Sequence, residues 1–138
     1  MGRRQGRRQP CSARDARTRR SQARKFLEVA EIAADEQAGD PEYASVAASL
    51  AVLAGIAAAD AACCKALGER SRSQDHHDAE GLLRGIVNGK AAASHLRDLI
   101  DLKDAAHYGF FDVSRPELRK ALRRARSLLE FADEVLNR

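Results

Sequence analysis

The chain reads as an all-α protein, an antiparallel bundle of four to five helices with a basic, disordered N-terminal arm. Three observations predict this. From about residue 21 onward, apolar side chains recur at three-and-four spacing, the period of a helix with one buried face. Gly, Pro and capping residues cut that pattern into helix-length pieces. No apolar–polar alternation of useful length marks a strand, and no internal repeat is visible. A length of 138 residues suits one compact domain, with the basic arm over residues 1–20 and the bundle over 21–138.

The first helix is expected from about Ser21 to Gln37, where Phe26, Val29, Ala30, Ile32 and Ala33 make one apolar face. Gly39-Asp40-Pro41 breaks and restarts the chain, with Asp40 able to cap and Pro41 suited to the first helical position. The second helix then runs from Pro41 to about Leu67 and is closed by Gly68. After the loop 69–74, Asp75 or Ser73 caps a short third helix through Leu82, Leu83 and Ile86, which Asn88-Gly89 ends. A fourth covers about Lys90 to Tyr108, stopped by Gly109. Ser114 and Glu117 have capping-box spacing, so each satisfies a backbone NH of the other. They open a fifth helix whose stripe is Leu118, Ala121, Leu122, Ala125, Leu128, Leu129, Ala132, Val135 and Leu136.

Alanine dominates the 44% hydrophobic share, and aromatics are only 4%. Such a core needs helices that approach closely over small side chains. The Ala44–Ala59 stretch is interrupted by Ser45, Ser49 and Gly55 and ended by Asp60, so it reads as a buried helix of a soluble protein rather than a membrane span. Cys11 stands alone in the basic lead, and Cys63 and Cys64 project about 100° apart on a helix, which prevents their bridging each other. No Cys-x-x-Cys spacing points to zinc, and adjacent His76, His77 and Asp78 diverge, so no metal or other cofactor is expected. Unpaired cysteines fit a reducing cytoplasm.

Residues 1–25 hold ten Lys/Arg against Asp15 alone, whereas the other 113 hold 14 basic and 19 acidic residues. A cationic arm on an acidic body attracts polyanions by releasing counterions from a phosphate backbone. Arg17, Arg19 and Arg20 of the arm and Arg119, Arg123 and Arg124 of the fifth helix are the candidate nucleic-acid contacts. A solvated tail, a targeting segment or an early start site are the alternatives for the arm. It lacks the apolar region of a secretory signal, and Gly6 stands where myristoylation wants Ser or Thr. No Walker motif, dinucleotide fingerprint or nucleophile elbow is present.

Two charges fall on apolar faces. At about 100° per residue, Asp60 stands within the Leu50, Leu53, Ile56, Cys64, Leu67 face of the second helix. Lys103 stands within the Leu96, Leu99, Ile100, Ala106 face of the fourth. A lone buried charge costs several kcal/mol, so an Asp60–Lys103 pair is expected, with His107 beside it at the mouth of a cleft.

Four stretches occur in a telling order: "GIAAADAACCKALG", "DHHDAEGLL", "KDAAHYGFFDVS" and "ALRRARSLLEFA". Together they resemble the HEPN domain family, helical domains of prokaryotic toxin–antitoxin and defence systems, and especially members ending in R-x-x-A-x-Y-G. The resemblance spans roughly residues 22–138 and implies a bundle that is often a homodimer. It also implies RNA binding and, in many members, metal-independent ribonuclease activity from an Arg and a His separated by four to six residues. Here Lys103 replaces the Arg, and His107 follows after only three residues. Lys103 would hold phosphate charge without the guanidinium's bidentate fork, His107 would act as acid or base, and Asp104 would orient it. Arg72 and His77 satisfy the four-residue spacing but lie before and at the start of the third helix. The alternative function is a non-catalytic module that docks a partner protein, such as the nucleotidyltransferase partners of this family.

Overall fold

A computed structural model describes residues 8–36, 40–72, 77–108 and 113–138, with only the backbone for Glu36 and residues 105–108. The elements are β1 (Arg8–Pro10), α1 (Ala13–Glu36), α2 (Pro41–Leu67), β2 (Glu69–Ser71), α3 (His77–Arg84), α4 (Lys90–Tyr108) and α5 (Arg115–Leu136). The all-α bundle is thus observed, with one short two-stranded ribbon added.

Pairs across the bundle give its directions. Arg20 and Glu31 of α1 meet Asp133 and Arg126 of α5. Arg19 meets Asp60 of α2, and Arg124 of α5 meets Asp98 of α4. Helices α1 and α4 therefore run one way and α2 and α5 the other. The core sits where α2 packs between α1, α4 and α5. Ala16, Ala23 and Ala30 recur every seven residues on α1 and are fully buried, and α1 packs along α2, where Ala47, Ala51, Ala54, Ala58 and Ala61 are buried too. Small side chains on both faces let the two backbones approach. On the other side of α2, a Cβ at Gly55 would lie 2.5 Å from Leu99 Cδ1 and 3.2 Å from Leu128 Cδ1. A side chain there would have to push the Leu99 methyl aside where α4 and α5 close on α2.

Local chemistry sets the ends. Asp40 caps α2 by accepting from the Glu42 NH, with Pro41 following. Gly68 closes it in the left-handed conformation, φ 73°, where a side chain would be strained. Ser114 and Glu117 form the expected capping box of α5. α2 is long and apolar enough to cross a membrane, with a mean hydropathy of 1.9 over its most apolar stretch, but 72% of that stretch is buried inside the bundle.

The arm is the main correction. Residues 8–20 are not disordered: they form β1, a disulfide-bonded Cys11 and the first two turns of α1. The missed signal is Ser12-Ala13-Arg14-Asp15. The Asp15 NH donates to Ser12 Oγ at 3.1 Å, and the Ser12 NH donates to Asp15 at 2.8 Å. This reciprocal cap starts α1 well before Ser21. The Ser12 hydrogen bonds also hold the Asp15 carboxyl below its ordinary pKa. β1 pairs antiparallel with β2, in register Arg8–Ser71, Gln9–Arg70 and Pro10–Glu69. Three-residue strands show no alternation to read, so this ribbon was not expected. The cysteines were also expected unpaired, yet Cys11 is bonded to Cys64 across 53 residues, leaving Cys63 free and buried. That pairing removes the argument that placed the chain in a reducing cytoplasm.

Candidate functional site

The polar centre of the molecule lies at the C-terminal end of α2. Asp60 is only 6% exposed. Its Oδ2 accepts from Arg19 Nε at 3.1 Å and Nη2 at 2.9 Å, and Arg70 Nη1 stands 3.6 Å away. Two nitrogens of the Arg19 guanidinium converge on one carboxylate oxygen, so a buried acid is neutralised by arginines from α1 and β2. One turn on, Cys63 is buried, and burial followed by the Asp60 charge pushes its thiol up to about 12. Arg8 of β1 bridges Glu69 at 3.5 Å and Asp78 at 3.4 Å. Glu80 is buried as well, with Oε1 3.8 Å from His77 Nδ1. Among the described residues no group of His, Cys, Asp and Glu side chains is arranged to hold a metal.

The expected Asp60–Lys103 pair does not form. Lys103 is exposed at the rim of a cleft of about 360 Å³ lined by Ser45, Ser49, Leu53, Leu102 and Val113. The reason is direction. Both residues lie toward the C-terminal ends of their helices, but α2 and α4 are antiparallel, so those ends point apart. From the Gly55–Leu99 contact, five residues one way and four the other separate them by roughly 13 Å along the axis at about 1.5 Å per residue. An angular position within an apolar face says nothing about depth along the helix. Lys103→Met should therefore change stability by less than about 0.5 kcal/mol in urea unfolding, as for an unpaired surface side chain. A loss of several kcal/mol would restore a buried role.

The two alternative sets of catalytic candidates lie at different places in the bundle. Asp104 is exposed beside Lys103, and the His107 side chain lies outside the described residues. Arg72 is exposed after β2, and His77 opens α3 with a mostly exposed ring. These two follow α2's C-terminal end, whereas Lys103 borders Ser45–Leu53, roughly 20 Å away along α2. The segment 73–76 between Arg72 and His77 is outside the described residues.

The nucleic-acid candidates divide. Arg19 is spent on Asp60, Arg20 on Asp133 and Arg124 on Asp98. Arg17, Arg119 and Arg123 are exposed, and among the described residues they form no ion pair. Arg8, Arg24 and Lys25 are likewise paired with acids. Much of the cationic lead thus neutralises the acidic body by direct contact.

Sequence reading also missed an open apolar face. On α1, Arg19, Gln22, Phe26, Val29 and Ala33 follow at three-and-four spacing. On α2, Tyr43, Val46, Leu50, Leu53, Ala57 and Asp60 do the same. The Arg19–Asp60 pair places both rows on one side of the hairpin. Toward Asp60 the α2 row is buried, but toward the α1–α2 turn Val29 is 50%, Val46 53% and Leu53 44% exposed. Phe26 and Leu50 are partly buried against the core. The signal was in the spacing, but only packing decides which apolar rows find an internal partner. No family model, curated protein or solved structure matches the chain.

Proposed function

We propose that this chain is a HEPN-like helical module that works by association rather than catalysis, pairing with a second copy of itself through the open α1–α2 face. The observation that carries this reading is the row Tyr43, Val46, Leu50, Leu53, flanked by Phe26 and Val29. A three-and-four apolar row is the pattern that packs one helix against another, and a two-fold axis lets one surface serve both partners. The order of sequence motifs, similar to a family of often dimeric bundles, supports it. Catalysis has less support, because Lys103 replaces the arginine and His107 follows it after only three residues. A second reading, RNA binding, is favoured by the exposed α5 ridge Arg115, Arg119 and Arg123, whose members recur every four residues.

Sedimentation equilibrium should give a dimer for the wild type and a monomer for Val46→Glu/Leu53→Glu, with unchanged helical circular dichroism. A wild-type monomer at every accessible concentration would refute self-association. The face would then belong to a different protein, such as a nucleotidyltransferase. Salt-dependent RNA binding that is lost in Arg119→Ala/Arg123→Ala would support the second reading.

A further inference from the structure

We propose that the Cys11–Cys64 disulfide is a redox latch that holds the β1 segment over the C-terminal end of α2 and releases it on reduction, leaving the bundle folded. Among the described residues, the segment it holds is short and otherwise lightly attached. Three residues pair with β2, the Cys11 NH donates to the Gly68 carbonyl at 2.9 Å, Gln9 accepts from Arg70 at 3.2 Å, and Arg8 reaches Glu69 and Asp78. These ion pairs are half-exposed, and exposed pairs are individually weak. The bundle core beneath begins at Ala16 and does not include the ribbon. Cutting the cross-link therefore removes the strongest tie of residues 8–12, while the α1–α2 alanine interface remains.

The two sulfurs differ in access. Cys11 is partly exposed, whereas Cys64 is buried in the last turns of α2. A dithiol reductant attacks as its thiolate at the Cys11 sulfur, and the S–S bond breaks with Cys64 leaving as a thiolate that takes up a proton. The reductant's second thiol then attacks its own sulfur in the mixed disulfide and expels Cys11. The dithiol ends as a disulfide, and two electrons and two protons end on Cys11 and Cys64. Cys63, next to Cys64, does not divert the exchange. Its burial keeps it a thiol at neutral pH, and only a thiolate attacks.

Released, residues 8–12 uncover Cys64 and the Arg70–Asp60 pair. The device thus converts the redox state of the surroundings into exposure of one end of α2. It is independent of the proposed self-association, which uses the other half of that helix.

The test uses the full chain, oxidised or treated with dithiothreitol, followed by limited trypsin digestion, timed alkylation and far-UV circular dichroism. In the oxidised protein no thiol should react quickly. After reduction Cys11 and Cys64 should alkylate quickly and Cys63 only on denaturation. Cleavage after Arg8 or Arg14 should accelerate at least tenfold while the helical signal is retained. Cys11→Ser without reductant should match the reduced wild type. Equal cleavage rates in both states would overturn the latch, as would loss of helicity on reduction, which would make the bond a staple of the whole fold. Three free thiols after exposure to oxidised glutathione would also overturn it.

Discussion

Replacing Arg19 by methionine should destabilise the bundle by about 3 kcal/mol, the lower end of the cost of stranding one partner of a buried pair. Asp60 is the reason. Its side chain is 8% exposed, and Arg19 donates to it at 3.1 and 2.9 Å. A second guanidinium, that of Arg70, stands 3.6 Å from the same oxygen, which keeps the loss from being larger. Asp60→Asn removes the charge that needs neutralising, so the double change Arg19→Met/Asp60→Asn should cost less than the sum of the single ones. Urea unfolding of the four proteins of this cycle measures the coupling. Strict additivity, or an Arg19→Met loss below about 0.5 kcal/mol, would show that Asp60 is already satisfied elsewhere.

Cys11→Ser should cost about 4 kcal/mol relative to the oxidised wild type. The bond closes a loop across a separation of 53 residues, and opening it returns that conformational freedom to the unfolded chain. For a chain of this length the loss corresponds to a fall of roughly 14 °C in Tm. Since small domains are stable by about 5–15 kcal/mol, the variant should remain folded at room temperature. Thermal unfolding with and without reductant checks this. Reduced wild type and Cys11→Ser should melt together, below the oxidised protein. Coincident melting of all three would mean that the bond constrains nothing in the unfolded state.

The places where sequence reading fell short share a cause. α1 was begun at Ser21 because the residues before it carry so many arginines. Yet Ala16 and Ala23 continue the buried alanine row of Ala30 through that charge, and Ser12 and Asp15 cap it. The expected Asp60–Lys103 pair failed because a helical wheel keeps the angle and discards the position along the axis. Asp60 is buried as expected, although Leu53 and Leu67 of the same expected face are exposed, and its partner is an arginine 41 positions earlier that the charge pattern assigns to nucleic acid. Cys11 and Cys64 gave no local clue to each other, because their meeting depends on how α1 returns along α2.

What this sequence determined by itself is local: its helical periods, the stop at Gly68, the caps at Asp40 and Ser114, and the burial of an alanine-rich second helix. These follow from interactions within a few residues, where spacing and residue type suffice. The third helix, expected to run to Asn88-Gly89, ends earlier at Arg84, and Gly89 opens α4 instead. The tertiary structure alone decided which charge neutralises Asp60, which cysteines join, and which apolar row of the α1–α2 hairpin is left open to solvent. Each depends on the relative direction and depth of helices distant in sequence. Side chains such as Arg19 and Lys103 carry the same charge, and only the packing of the backbones determines which of them reaches a buried carboxylate.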